Sequence, residues 1–439
     1  MNTTFARSVR SLPPLSLALL LLLVIIGGAC TKSNEDDSIE LLSTVPADAS
    51  AVAVLNLNII VDRCGGSVKG GKIIDPGKLD DLARKMLKPD QQKVALWLLS
   101  SESGIECSSA VYFAYRGQDY LYALVTDVEA LRNSIDNLWP GEWLTTGKVT
   151  HKNRAAICNG RLLLLPNADA SVAETFANLS EPESFSSNGY AATLAKSTDA
   201  MCAWATIEGM MKASSLSFSE QAMAKMALGM SFNTPKYLTA TADIDSDGTT
   251  VTASILDANM KPAKCELQLS KLDTKLIASL GGNANTVVAA SVSEKLVKQF
   301  VQLAQSFGGN MPQAYNDALA SLDGTLVIAL SEDLSKIDSD NVGYKGAIQT
   351  NGKNNATLLQ ALEAFTGKAT IDGNTFLFGN EGYGNGIAPL ADVAKQFEGA
   401  WLGVATAVPV ADTKETGSLY LTLIPDGNSL KLKAYMQVK

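Results

Sequence analysis

The apolar positions of this chain fall into short runs, separated by Gly, Pro, Asn-Gly and Asp-Gly signals. Uninterrupted runs of small and branched residues predict buried strands, and alternating runs predict strands with one polar face. Spacings of three and four predict helices. After Pro46-Ala47-Asp48-Ala49-Ser50, Ala51–Leu57 reads as the first buried strand. A glycine-rich loop, Gly65–Gly71, follows. Asp75-Pro76 supplies an N-cap with Pro at the first helical position, ahead of a Leu79, Leu82, Met86, Leu87 stripe. Pro89 breaks that stripe, and Val94, Leu96, Trp97 and Leu98 belong to a second helix. Ala110–Tyr115 and Asp119–Thr126 predict strands, after which Asp127 caps a helix that places Val128, Leu131, Ile135 and Leu138 on one face. Asn159-Gly160 predicts a type I′ hairpin between Ala155 and Leu165. Ala200–Ile207 reads as a strand, Glu208–Met230 as Met- and Ala-rich helix, and 237–256 as a hairpin turning at Asp247-Gly248.

The second half repeats this order. Thr286–Val292 matches Ala51–Leu57, and Ser293–Phe307 reads as a helix with Leu296, Phe300, Leu303 and Phe307 aligned. Thr325–Leu330 and Tyr344–Thr350 predict strands, Thr357–Phe365 a helix, and 369–378 a hairpin at Gly373-Asn374. Trp401 in Ala400–Thr406 echoes Trp204 in Cys202–Thr206, and Asp426-Gly427 turns a last hairpin like Asp247-Gly248. The expectation is an α+β protein of two tandem related halves, 45–260 and 265–439. Each half is expected to hold a mainly antiparallel sheet with helices packed on one face. Its start has the β-α-β-β-α-β order of a ferredoxin-like unit, followed by extra hairpins.

The N-terminus breaks the pattern. Arg7 and Arg10 precede an almost unbroken apolar run, Leu15–Ile26, which is shorter than the ~20 residues a bilayer helix prefers. Gly27, Gly28 and Ala29 are small, as a processing peptidase requires, and Cys30 follows. This arrangement resembles a bacterial lipoprotein signal, 1–29, with acyl chains such as palmitate carried on Cys30; the pattern's Leu-like residue, three before the cysteine, is here Gly27. Segment 30–44 is expected to be a disordered tether, because Thr31–Ser38 is polar and acidic. Lys32 with Glu35-Asp36-Asp37 is similar to the export signal of surface-exposed Bacteroidetes lipoproteins, and Asp37-Ser38-Ile39 to an O-glycosylation motif of those bacteria. The phrase Pro46-Ala47-Asp48-Ala49-Ser50-Ala51-Val52 resembles the opening of a family of uncharacterised Bacteroidales lipoproteins with a domain of unknown function. The resemblance implies an outer-membrane location, facing the surface or the periplasm, and carries no catalytic motif.

Charge and composition narrow the chemistry. Removing residues 1–29 lowers Lys+Arg from 36 to 34 against 45 Asp+Glu, a net charge of −11, which disfavours nucleic acid and anionic surfaces as partners. His151 is the only histidine, which disfavours His-based triads and His-rich metal sites. Cys64, Cys107, Cys158, Cys202 and Cys265 are odd in number and without CxxC spacing, so pairing stays open beside burial as small hydrophobes. Gly66–Lys72 has phosphate-loop spacing but Ile73 where a Ser or Thr should hold Mg²⁺. Asp243–Gly248 begins like a calcium loop but has Ser254 at the twelfth position. Gly382–Gly386 lacks the last glycine of a dinucleotide fingerprint. No catalytic, cofactor or metal residue is assigned, and Cys30 is the one assigned site.

Three function classes fit. The first is a non-enzymatic envelope lipoprotein, held to the bilayer by its acyl anchor, that binds an envelope protein or glycan or has a structural role. The second is a glycan-binding accessory protein, which needs exposed aromatics such as Trp139, Trp143 or Tyr383. The third is a carboxylate- or metal-dependent hydrolase of envelope or glycan substrates, which needs paired Asp/Glu in a cleft with one carboxyl desolvated.

Overall fold

The structure is a computed structural model and describes residues 35–438, apart from 87–88, 215–216, 246–247, 307–312, 333–341, 367, 381–382, 384–385, 387 and 410–415. The segment 1–29, Cys30 and the turn residue Asp247 therefore lie outside the described residues. The chain divides into two compact units. Unit 1 holds 35–229 and Thr234–Ala263; unit 2 holds Met230–Asn233 and Lys264–Lys439.

In unit 1 the elements are α1 (Glu35–Leu42), β1 (Ala51–Asn56), α2 (Leu57–Arg63), β2 (Ser67–Lys69), β3 (Lys72–Asp75), α3 (Lys78–Met86) and α4 (Pro89–Leu98). Next come β4 (Ile105–Tyr115), β5 (Gln118–Val125), α5 (Val128–Leu138), β6 (Leu144–Thr146), β7 (Val149–Lys152), β8 (Ala155–Cys158) and β9 (Arg161–Leu164). Then follow α6 (Ser171–Ala177), α7 (Ala191–Ala195), β10 (Met201–Thr206), α8 (Ile207–Ala213), α9 (Phe218–Ser231), β11 (Tyr237–Asp245) and β12 (Gly248–Leu256). The main sheet runs β12-β11-β10-β1-β4-β5-β9-β8-β7-β6, antiparallel at every pair.

Unit 2 has α10 (Thr274–Ser279), β13 (Asn283–Ala284), β14 (Thr286–Val292), α11 (Glu294–Ser306), α12 (Gln313–Leu319), β15 (Leu322–Leu330), β16 (Tyr344–Thr350) and α13 (Asn355–Thr366). It continues with β17 (Ala369–Asp372), β18 (Thr375–Gly379), β19 (Ala388–Pro389), α14 (Leu390–Gln396), β20 (Leu402–Pro409), β21 (Thr416–Asp426) and β22 (Ser429–Val438). Its sheet runs β22-β21-β20-β14-β15-β16-β18-β17, again antiparallel throughout. Taken strand by strand, this is the unit 1 order from β12 to β8. Unit 1 extends further, with β7 and β6 at that end and α8 and α9 between β10 and β11.

Local chemistry explains the elements. The Asp127 carboxylate accepts from the Ala130 N–H at 2.9 Å and caps α5, which buries Leu131 and Ile135. Asn159 and Gly160 both have positive φ, as the two-residue turn between β8 and β9 requires. Asp75, by contrast, ends β3. Its carboxylate accepts from the Gly77 N–H at 2.8 Å, and α3 starts only at Lys78.

Three expectations are corrected. First, helices cover both faces of the sheets. In unit 1, Val54, Val111, Phe113 and Tyr122 join α1, α6 and α7 on one face. Leu55, Ala110, Leu121 and Ala123 join α2 to α5 on the other, through Ile59, Leu79, Trp97 and Leu131. Unit 2 divides likewise: α10 and α14 lie on one face, and α12 and α13 on the other. Second, the start of each unit is not ferredoxin-like. A βαβ crossover joins parallel strands, whereas β1 and β4 are antiparallel neighbours despite the helices between them, as are β14 and β15. Third, the segment 30–44 is not disordered over its described part, 35–44. Glu35–Leu42 is a helix that buries Ser38, Leu41 and Leu42. The Ser38 and Ser109 hydroxyls are 3.0 Å apart and buried, and Glu40 pairs with Arg161 at 3.1 Å. A glycan on Ser38 has no room in this fold.

Candidate functional site

The aromatic residues proposed for glycan contact are all half-buried. Trp139 packs edge-on against Trp97, with ring centroids 6.2 Å apart. Trp143 donates its indole N–H to Asp136 at 2.9 Å and lies under the Arg132 guanidinium. The Tyr383 ring lies under Lys345, and burial pushes its hydroxyl up to about 12. Gly382, Gly384 and Asn385 around it lie outside the described residues.

Asp136 is the hub that fastens β6 and β7 to α5. The Lys152 ammonium, nearly buried, donates to it at 2.7 Å. That bond, with Trp143 and Arg132 behind it, holds the Asp136 carboxyl below its ordinary value of 3.8. A depressed carboxyl contributes stability above the ordinary range and loses it as pH falls through its folded value. In acid, Trp143 is therefore expected to loosen with a midpoint below 3.8, followed by its fluorescence. Asp136→Asn should abolish that step; an unchanged titration in the variant would assign it elsewhere.

Carboxylates come together around Glu106 on β4. Partial burial raises its pKa, and the charges of Asp37 and Glu40 on α1 add to this. Glu40 is itself paired with Arg161, and among the described residues no group of three or more acidic, His or Cys side chains is placed to hold a metal. Elsewhere, Tyr112 donates to Asp119 at 2.6 Å, and burial raises the tyrosine.

The nucleotide-like Gly66–Lys72 stretch forms a small hairpin of β2 and β3, with Gly70 and Gly71 at positive φ in its turn. A strand, β3, and not a helix N-terminus follows it in the chain, so it lacks the loop-to-helix order of a phosphate loop. The calcium-like stretch is the β11–β12 end: Asp243 lies opposite Thr250 and its carboxylate pairs with Arg63 of α2. The Met-rich stretch divides into α8 and α9, in which Met211 is buried, Met210 exposed, and Met226 and Met230 half-buried. Cys64, Cys107, Cys158 and Cys202 are buried free thiols and Cys265 is half-buried. Burial pushes Cys64 and Cys107 up to about 12 and Cys202 to about 11, far from the thiolate that nucleophilic chemistry needs.

A pocket that no sequence signal indicated lies in unit 2, where Val287, Ala405, Thr406, Ser418, Tyr420 and Val393 enclose about 220 Å³ including its open mouth. Its enclosed part has room for about one water. The strand registers explain it. In unit 1, Val52 lies opposite Trp204 on one side and Phe113 on the other. The corresponding Val287 lies opposite Ala405 and Ala329. Trp204, wedged between Phe185 and Tyr237 at 5.1 Å from each, fills the space that Ala405 leaves. Trp401 does not substitute for it. The carbonyl of Trp401 accepts from Ser291 just as that of Ala200 accepts from Asn56, so Trp401 matches Ala200 rather than Trp204.

No protein-family model and no curated protein matches this chain. Among the described residues, no helix is long and apolar enough to cross a membrane.

Proposed function

We propose that this chain is a cell-envelope lipoprotein, held in the outer membrane by acyl chains on Cys30, whose body has a binding or structural role rather than a catalytic one. The observation that carries the reading is the arrangement of Arg7 and Arg10, the Leu15–Ile26 run, Gly27–Ala29 and Cys30. The helix Glu35–Leu42 is consistent with it, because packed structure lies within a few residues of Cys30 along the chain. The sequence resemblance to Bacteroidales lipoproteins points the same way. The non-catalytic part draws its support from what the described side chains do: Cys64, Cys107, Cys158 and Cys202 are buried thiols, Asp136 and Asp243 are spent in ion pairs, and the unit 2 pocket is lined without a carboxylate. The glycan reading draws less support, because Trp139, Trp143 and Tyr383 are half-buried rather than exposed.

The body is further proposed to have arisen by duplication of one α+β unit. The shared strand order supports this, as do the matching helices: α1 and α7 in unit 1 correspond to α10 and α14 in unit 2, and α5 corresponds to α13. The test of the anchor is Cys30→Ala in the native cell. The variant should lose radiolabelled acyl incorporation and move from the membrane fraction to the soluble envelope fraction. A variant that still labels and sediments with membranes would sink the assignment.

A further inference from the structure

The unit 2 pocket lies where unit 1 is filled by rings, and the ladders give the correspondence position by position. Val52 lies opposite Trp204, and Val287 lies opposite Ala405. On the next strand, Thr239 lies opposite Trp204, and Tyr420 lies opposite Ala405. Two residues along, Thr206 faces Tyr237, and Ala407 faces Ser418. Trp204, Tyr237 and Thr239 therefore have Ala405, Ser418 and Tyr420 as their counterparts, and all three of these line the pocket. Two rings are lost between the units and Tyr420 returns one. In unit 1 Trp204 is 2% exposed and held between Phe185 and Tyr237, so its place is packed shut. In unit 2 the same place opens to solvent through the mouth of the pocket.

We propose that this pocket binds an uncharged aromatic ring system of indole size, supplied from outside in place of the missing side chain. The unit 1 packing sets the size, because the ring that Ala405 lacks is the indole of Trp204. The volume agrees: about 220 Å³ with the mouth included is below the ~300–1,000 Å³ of sites for drug-sized ligands, which limits the occupant to one ring system. The enclosed part holds about one water, so the ring enters by one edge and keeps the other in the mouth. The lining sets the polarity. Val287, Val393, Ala405 and the Tyr420 ring are apolar, and no charged side chain lines the pocket, so an ionised group would be buried there without a counter-charge. Of the polar lining residues, Thr406 lies 3.2 Å from the Thr286 hydroxyl, and Asn285 donates to the Ser331 carbonyl at 2.6 Å. The Ser418 hydroxyl, at the position of Tyr237, can accept the single N–H that an indole brings. A free small molecule and an aromatic side chain of a partner protein share this chemistry. Acylation of Cys30 plays no part in it.

The test is titration of the full chain with a fluoroindole, followed by the fluorine NMR line width, and with N-acetyl-tryptophan amide, which carries the same ring on a peptide backbone. So small a ligand is expected to bind with roughly millimolar affinity. Ala405→Trp supplies the missing ring and should weaken binding by about tenfold or more, since an occupied cavity has no place for a ligand. Ala405→Trp combined with Tyr420→Thr reproduces the unit 1 pair Trp204–Thr239 without overpacking and should have the same effect. Binding of both probes supports the site with a partner's side chain as the source, and binding of the fluoroindole alone supports it with a free small molecule. No broadening at about 10 mM fluoroindole, well above the affinity expected of a single ring system, or broadening that survives both variants, overturns the proposal.

Discussion

Phe113→Ala is expected to destabilise unit 1 by about 3–5 kcal/mol. The ring is fully buried at the centre of the face that carries α1, α6 and α7. It stacks on Tyr120 and Tyr122 at 5.1 and 5.6 Å and meets the edge of Phe176 at 5.5 Å. Truncation removes the transfer energy of a large side chain and leaves a void bounded by strands β1, β4 and β5, which cannot collapse because their backbones are paired on both sides. Urea unfolding followed by tryptophan fluorescence measures it, since Trp97, Trp139, Trp143 and Trp204 all report on unit 1. The unit 1 transition should move to lower urea while the unit 2 transition stays in place. A loss below 1 kcal/mol would mean that the surroundings collapse around the truncated side chain, against the rigid void argued above. Unit 2 offers no matching experiment, because the corresponding position is already Ala329.

Leu41→Ala should cost about 2–5 kcal/mol. α1 is too short to be helical alone, so its order comes from packing. Leu41 and Leu42 are the side chains that seat it, beside the buried Ser38–Ser109 contact. The ion pairs Glu40–Arg161 and Glu35–Lys196 lie at the rim, where charge pairs contribute little. Ile39→Ala is the control, because Ile39 is largely exposed, and its effect should stay within about 0.5 kcal/mol. Amide exchange of α1 should accelerate in Leu41→Ala and not in Ile39→Ala. Equal effects of the two substitutions would show that α1 is held by its charges.

Much of the secondary structure is legible in the sequence because its signals are local. Asp127, Asn159-Gly160 and Gly373-Asn374 act on their own neighbours, and the helix or turns they predict are present. Pairing is not local. The element order β-α-β-β-α-β is compatible with a parallel crossover and with the antiparallel neighbours seen here, and no residue in β1 or β4 decides between them. The two-sided burial did leave a trace. Ala51–Asn56 has no polar residue until its end, which is what a strand covered on both faces requires. α1 was hidden by its own first turn: Glu35, Asp36 and Asp37 read as a solvated tether but suit a helix N-terminus, and the seating residues come only at Leu41 and Leu42. The Trp204–Trp401 likeness shows the converse, because similar letters two hundred positions apart occupy different steps of their ladders. The unit 2 pocket is unreadable for the same reason: a missing side chain matters only against the strand that faces it.

The early start of α1 sets a reach. Five peptide steps separate Cys30 from Glu35, and covalent geometry limits them to about 18 Å. With lipid on Cys30, α1 can rise from the bilayer by less than the thickness of the membrane itself. The anchor is then a short mooring rather than a line to be cast. It keeps Asp36, Asp37 and Glu40 within range of the headgroup layer, where their charge would turn the body away from anionic lipid. A body moored in this way would meet only partners that come to the membrane.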